Sequence, residues 1–103
     1  MKFPWILAAL MPWAASTAGA QTPDLLYLKS LAATCANCHG TNGKAVGGST
    51  VPTLAGMPKD YLVRQLKAFK TGERPATVMH QLAKGYSDAQ IEQIAGYLAT
   101  QKK

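Results

Sequence analysis

Acidic residues are scarce in this chain. Five Asp and Glu stand against 11 Lys and Arg in 103 residues, and charged residues of both signs make up only 16%. The resulting excess, +6 with histidine neutral, is scattered along the chain. No block of like charges is present, which excludes the basic tails and patches that mark nucleic-acid binding. A dispersed basic surface on a small protein instead steers encounters with acidic partners. Strand-like alternation of useful length is also missing, which excludes a sheet and leaves an all-α fold. Long hydrophobic runs are missing too. The one apolar stretch, residues 3–15, is too short to cross a bilayer comfortably, and no second one follows. Cysteine and histidine number two each, so thiol and imidazole chemistry rests on Cys35, Cys38, His39 and His80.

Three of those four fall together in Cys35-Ala36-Asn37-Cys38-His39. Two thiols separated by two residues, with an imidazole directly after, form the attachment pattern for c-type haem. The spacing has a chemical reason. Each sulfur adds across one vinyl group of the porphyrin, and two intervening residues let one helical turn reach both vinyls. The next residue then falls under the iron as proximal ligand. Three other readings compete. A thiol redox pair expects a strand–helix context of the thioredoxin kind, which is absent. A zinc site would need His80 to complete a poor tetrahedral set. A plain disulfide suits an exported protein.

Residues 1–20 read as a cleaved signal peptide. Lys2 is the positive start, residues 3–15 are the apolar core and Ala18-Gly19-Ala20 is the small-residue cleavage site, with an uncleaved anchor as the competing reading. Haem of the c type is attached outside the cytoplasm, so signal and motif support each other and place the protein in the periplasm. The mature chain would be one domain, residues 21–103, with ten basic and five acidic residues, a charge of +5. A domain this small buries only about 60% of its unfolded surface and usually needs a staple. A haem held by two thioether bonds supplies one, so the haem-free chain is expected to be largely unfolded.

Along the mature chain, Thr22-Pro23-Asp24 reads as a helix start. Leu25, Leu28, Leu31 and Ala32 then recur at helical spacing up to the Cys35 motif. Residues 40–57 hold five glycines and one proline and read as a long loop wrapping a haem face. Residues 58–70 read as a second helix opening on Pro58, with Tyr61, Leu62, Gln65, Leu66 and Phe69 on one face and Gly72 as its stop. Tyr61 is expected in the haem surroundings. Residues 77–83 form a short helix carrying Met79. Ser87-Asp88-Ala89-Gln90 fits a capping box, followed by the stripe Ile91, Ile94, Ala95 and Leu98. The expected fold is three longer helices plus a short one around one covalent haem.

A low-spin electron carrier needs a second axial ligand. Met79 lies 40 residues after His39, enough chain to pass the porphyrin edge and return on the opposite face. Met57 lies at the foot of a helix and reads as packing. His80 points about 100° away from Met79 on a helix, so both cannot face the iron. Ligation by His39 and Met79 raises the potential relative to two histidines and leaves no open position for oxygen or peroxide. The expected role is one-electron transfer, with no bound substrate and no catalytic residue.

The motif Cys35-Ala36-Asn37-Cys38-His39-Gly40, then Val51-Pro52-Thr53-Leu54-Ala55-Gly56, then the Met79 segment, resembles class I cytochrome c across essentially the whole mature chain. The resemblance implies that the Pro52 carbonyl accepts from the proximal His39 and that Leu54 packs on the haem. It also implies that the first and last helices cross. Within that family, residues 37–43 and 79–88 look like the bacterial cytochrome c4/c553 group, and most like the haem subunit of flavocytochrome c sulfide dehydrogenase. That implies an FAD-containing sulfide dehydrogenase subunit as electron donor. The alternative within the same family is a free soluble shuttle between other redox proteins.

Overall fold

The computed structural model describes residues 23–103 together with Pro12; the signal segment and the Thr22 cap lie outside the described residues. Five α-helices follow in order: α1, Pro23–Ala33; α2, Ala36–His39; α3, Lys59–Thr71; α4, Met79–Lys84; and α5, Asp88–Ala99. A single 3₁₀ turn, Thr41–Gly43, comes after α2, and the described residues contain no strand. The fold is all-α, as expected, with α1, α3 and α5 as the longer helices.

The core is organised on α5. Ser87 starts it with a complete capping box: its hydroxyl accepts from the Gln90 amide at 3.1 Å, and the Gln90 side chain accepts from the Ser87 amide at 2.9 Å. Two amides that lack helical partners are thereby satisfied. Ile91, Ile94, Ala95 and Leu98 follow on one face, each at most 1% exposed. Ile94, Ala95 and Leu98 form one cluster with Ala32 of α1 and Leu62 of α3, and Tyr97, Leu66 and Val63 pack on it from the rim. The small side chains Ala32 and Ala95 permit the close packing of α1 on α5 there. α4 packs against α3, and Ala83 of α4 is fully buried.

Four local expectations change. α1 stops at Ala33 and does not run into the cysteine motif; Thr34 and Cys35 form a turn, and α2 begins afresh at Ala36. The short helices are therefore two, not one. Pro58 stands just before α3 with ψ 134°, and its carbonyl accepts the first helical bond, from Leu62 at 3.1 Å. α4 begins at Met79, with Val78 as the flanking residue. On α1 the expected stripe is buried only at its C-terminal end: Ala32 is in the core, whereas Leu25 is 39% exposed.

Candidate functional site

The Cys35–His39 segment closes on itself. The Cys35 carbonyl accepts from the His39 amide at 2.9 Å, and the Ala36 carbonyl accepts from Gly40 at 2.9 Å. Positions 35, 38 and 39 are thus related as i, i+3 and i+4 on one helical turn, the spacing that puts side chains on a shared face. Both thiols are free; Cys35 is half-buried and Cys38 exposed. Burial pushes the Cys35 thiol above its ordinary range, and the neighbouring Thr34 hydroxyl offsets part of that. His80 is not gathered with this motif. Among the described residues, no three or more His, Cys, Asp or Glu are grouped to hold a metal ion.

His39 is 8% exposed. Its Nδ1 lies 2.7 Å from the Pro52 carbonyl. A carbonyl only accepts, so Nδ1 carries the proton; in the neutral ring Nε2 then keeps its lone pair. The loop bearing Pro52 is held from three sides. The Gly43 carbonyl accepts from Leu54 at 2.7 Å and from Ala55 at 3.1 Å, Thr53 Oγ1 accepts from Ala45 at 3.1 Å, and the Leu98 carbonyl accepts from Gly56 at 2.9 Å. Gly43 is buried, and a Cβ there would stand 2.8 Å from Leu98 Cδ2. The glycines of this loop thus let its backbone lie directly on α5, which sets the position of the Pro52 carbonyl.

Leu54 packs partly buried against the core cluster, as does Met57. Tyr61 is 40% exposed in the first turn of α3. Met79 is half-buried as the first residue of α4. Beside it, His80 Nδ1 is shielded from water and has no hydrogen-bond partner. The site thus joins Cys35, Cys38, His39 and Pro52 directly, while Met79 stands on a separate element carried by α3. Sequence reasoning passed over two residues here, Thr34 and Tyr86, whose hydroxyls bond to each other next to Cys35. The available signal was the tyrosine directly after the Lys84-Gly85 helix stop.

A family model for cytochrome c matches residues 28–102. The chain belongs to the cytochrome c family. Its cofactor is haem c, for which the sequence carries the single motif Cys35–His39. Of its relatives, the cytochrome subunit of sulfide dehydrogenase from Chlorobaculum tepidum is 40% identical over 73 residues, 71% of this chain and 64% of that protein. A thiosulfate dehydrogenase electron acceptor from Thiomonas intermedia is 38% identical over 90 residues, 87% of this chain and 39% of that protein. The structure of Acidithiobacillus ferrooxidans cytochrome c4 superposes with a TM-score of 0.67 at 31% identity, over 80% of this chain and 52% of that one. The chain therefore spans less than two thirds of each of these relatives. The residues present fit the cofactor: two unpaired thiols on one turn, an imidazole oriented by a carbonyl, and a buried imidazole nitrogen on α4 with no protein partner.

Proposed function

We propose that this cytochrome transfers single electrons in the periplasm, with His39 and Met79 as axial ligands and Cys35 and Cys38 as covalent anchors. In this reading it is the haem subunit that accepts electrons from a flavoprotein sulfide dehydrogenase. The observation that carries the site is the 2.7 Å bond between His39 Nδ1 and the Pro52 carbonyl. It fixes the tautomer, aims Nε2 away from the loop and raises the basicity of the ring. Haem c supplies a one-electron iron couple when bound. His39 and Met79 would hold the iron, leaving no open site for an external ligand, and Leu54 and Tyr61 would flank the haem. Met57 packs in the core cluster, which supports Met79 as the thioether that completes the set. Removal of residues 1–20 on export belongs to the same reading.

The ligand assignment is tested in the haem-loaded Met79→Ala variant. The far-red charge-transfer band of ferric iron bound to a thioether should vanish and the reduction potential should fall. An unchanged ferric spectrum would rule Met79 out. The partner is tested by purifying the protein from its native periplasm in mild salt. The 40% identity to a sulfide dehydrogenase cytochrome subunit favours flavin co-eluting with haem at a fixed ratio. Haem eluting alone near the mature mass would identify a free shuttle instead.

A further inference from the structure

The segment that carries Met79 is tethered at both ends. At its start, the Arg74 amide donates to the Ala68 carbonyl at 3.0 Å, its guanidinium stacks 4.7 Å from the centre of the Phe69 ring, and the same group donates to Gln65. These bonds fasten the segment to α3, which lies on the same side of the fold as α4. At its end, the Tyr86 ring packs on the core cluster and its hydroxyl bonds to Thr34. Thr34 precedes Cys35, and its Oγ1 lies 3.9 Å from Cys35 Sγ. This bond joins the Met79 segment directly to the turn that carries Cys35. The polarity of the bond follows from counting hydrogens. The single Thr34 hydroxyl proton is directed at the Leu31 carbonyl, 2.6 Å away, so Tyr86 donates and Thr34 accepts.

We infer that the Tyr86–Thr34 hydrogen bond is a clasp that positions the Met79 segment against the haem-attachment turn and so sets how readily Met79 leaves the iron. Tyr86 touches neither ligand; it acts through α4, whose last turn runs into it by the bond from the Tyr86 amide to Ala83. Ala83 is fully buried, so a shift of Tyr86 is transmitted along the helix and not absorbed by slack packing. With both tethers made, α4 is held between α3 and the Cys35 turn. Without the Tyr86–Thr34 hydrogen bond it is held by α3 and by the packing of the Tyr86 ring on the core cluster, and the thioether competes less well with an external ligand. The inference rests on the assignment of Met79 as axial ligand.

The experiment is imidazole titration of the ferric holoprotein, with the far-red thioether band as readout. The wild-type band comes first: if it is missing, the Met79 assignment fails and the clasp falls with it, before any variant is made. With the band present, Tyr86→Phe and Thr34→Val should keep it without imidazole but bind imidazole roughly threefold to tenfold more tightly, the span of one neutral hydrogen bond. Thr34→Ser, which keeps an acceptor hydroxyl, should restore wild-type affinity. Tyr97→Phe is the control. It removes another tyrosine hydroxyl bond, from Tyr97 to Asn42 Oδ1 at 2.9 Å, outside the Met79 segment, and should leave the titration unchanged. Wild-type affinity in both clasp variants would overturn the inference, as would an equal rise in Tyr97→Phe, which would mark a global loss of stability. If both clasp variants fail to mature with haem while Tyr97→Phe matures, the bond is a folding element and the inference is equally overturned.

Discussion

A side chain at position 40 has nowhere to go. Gly40 sits at φ +86°, and a Cβ there would stand 1.9 Å from the Lys44 carbonyl oxygen, a backbone atom that cannot rotate aside. The residue directly follows His39, so the turn it makes decides where the loop leaves the site. Gly40→Ala is expected to cost more than about 2 kcal/mol, combining the left-handed penalty with displaced backbone. A thermal melt of the holoprotein that moves by less than the error of the measurement would contradict this. The chemistry of Cys35, Cys38 and His39 is legible as letters because covalent attachment and ligation need those side chains at that spacing. The partner of His39 is not legible from the residues alone in the same way. It is a carbonyl, which every residue at position 52 would carry, and only the resemblance to cytochrome c pointed to it. The Thr34–Tyr86 pair was invisible for a different reason: 52 residues separate its members, and neither has a local pattern that demands the other.

Among the elements, α5 follows its sequence most closely because its start and its buried face are both local. The capping box needs only Ser87 and Gln90, and the buried stripe needs only a period of about 3.6 residues. Ser87→Ala should therefore cost about 1 kcal/mol, a fall of about 4–8 °C in melting temperature for a domain of this size; the haem spectrum should be untouched. A shift in the far-red band of that variant would mean that the start of α5 also controls the Met79 segment, two residues beyond Tyr86. The helix boundaries near the site were less legible. α1 ends two residues before Cys35 and α2 restarts after it, since the turn is paid out to bring the cysteines and His39 onto a face of their own. Pro58 can stand in the first turn of a helix or just before it. The first α3 bond, from Leu62 to the Pro58 carbonyl, decided for the second.

At the scale of the whole fold, the buried apolar set among the described residues is small: eight residues, four of them alanines, one each on α1, α4 and α5 and one in the loop. Such a core falls short of what a domain needs without a staple. Cys35→Ala/Cys38→Ala, which cannot attach haem covalently, should lose most of its helical far-ultraviolet circular dichroism. Native helix content in that variant would show that the peptide core suffices. The amino-acid sequence by itself determined the cofactor, the all-α class and the Cys35–His39 motif, because each depends on residue type at short spacing along the chain. The tertiary structure alone decided how the loop bearing Pro52 is pinned to α5 and how the segment bearing Met79 is fastened beside Cys35. Those are meetings between residues far apart in the chain, and their terms are set by the packing of α1, α3 and α5 rather than by any local preference.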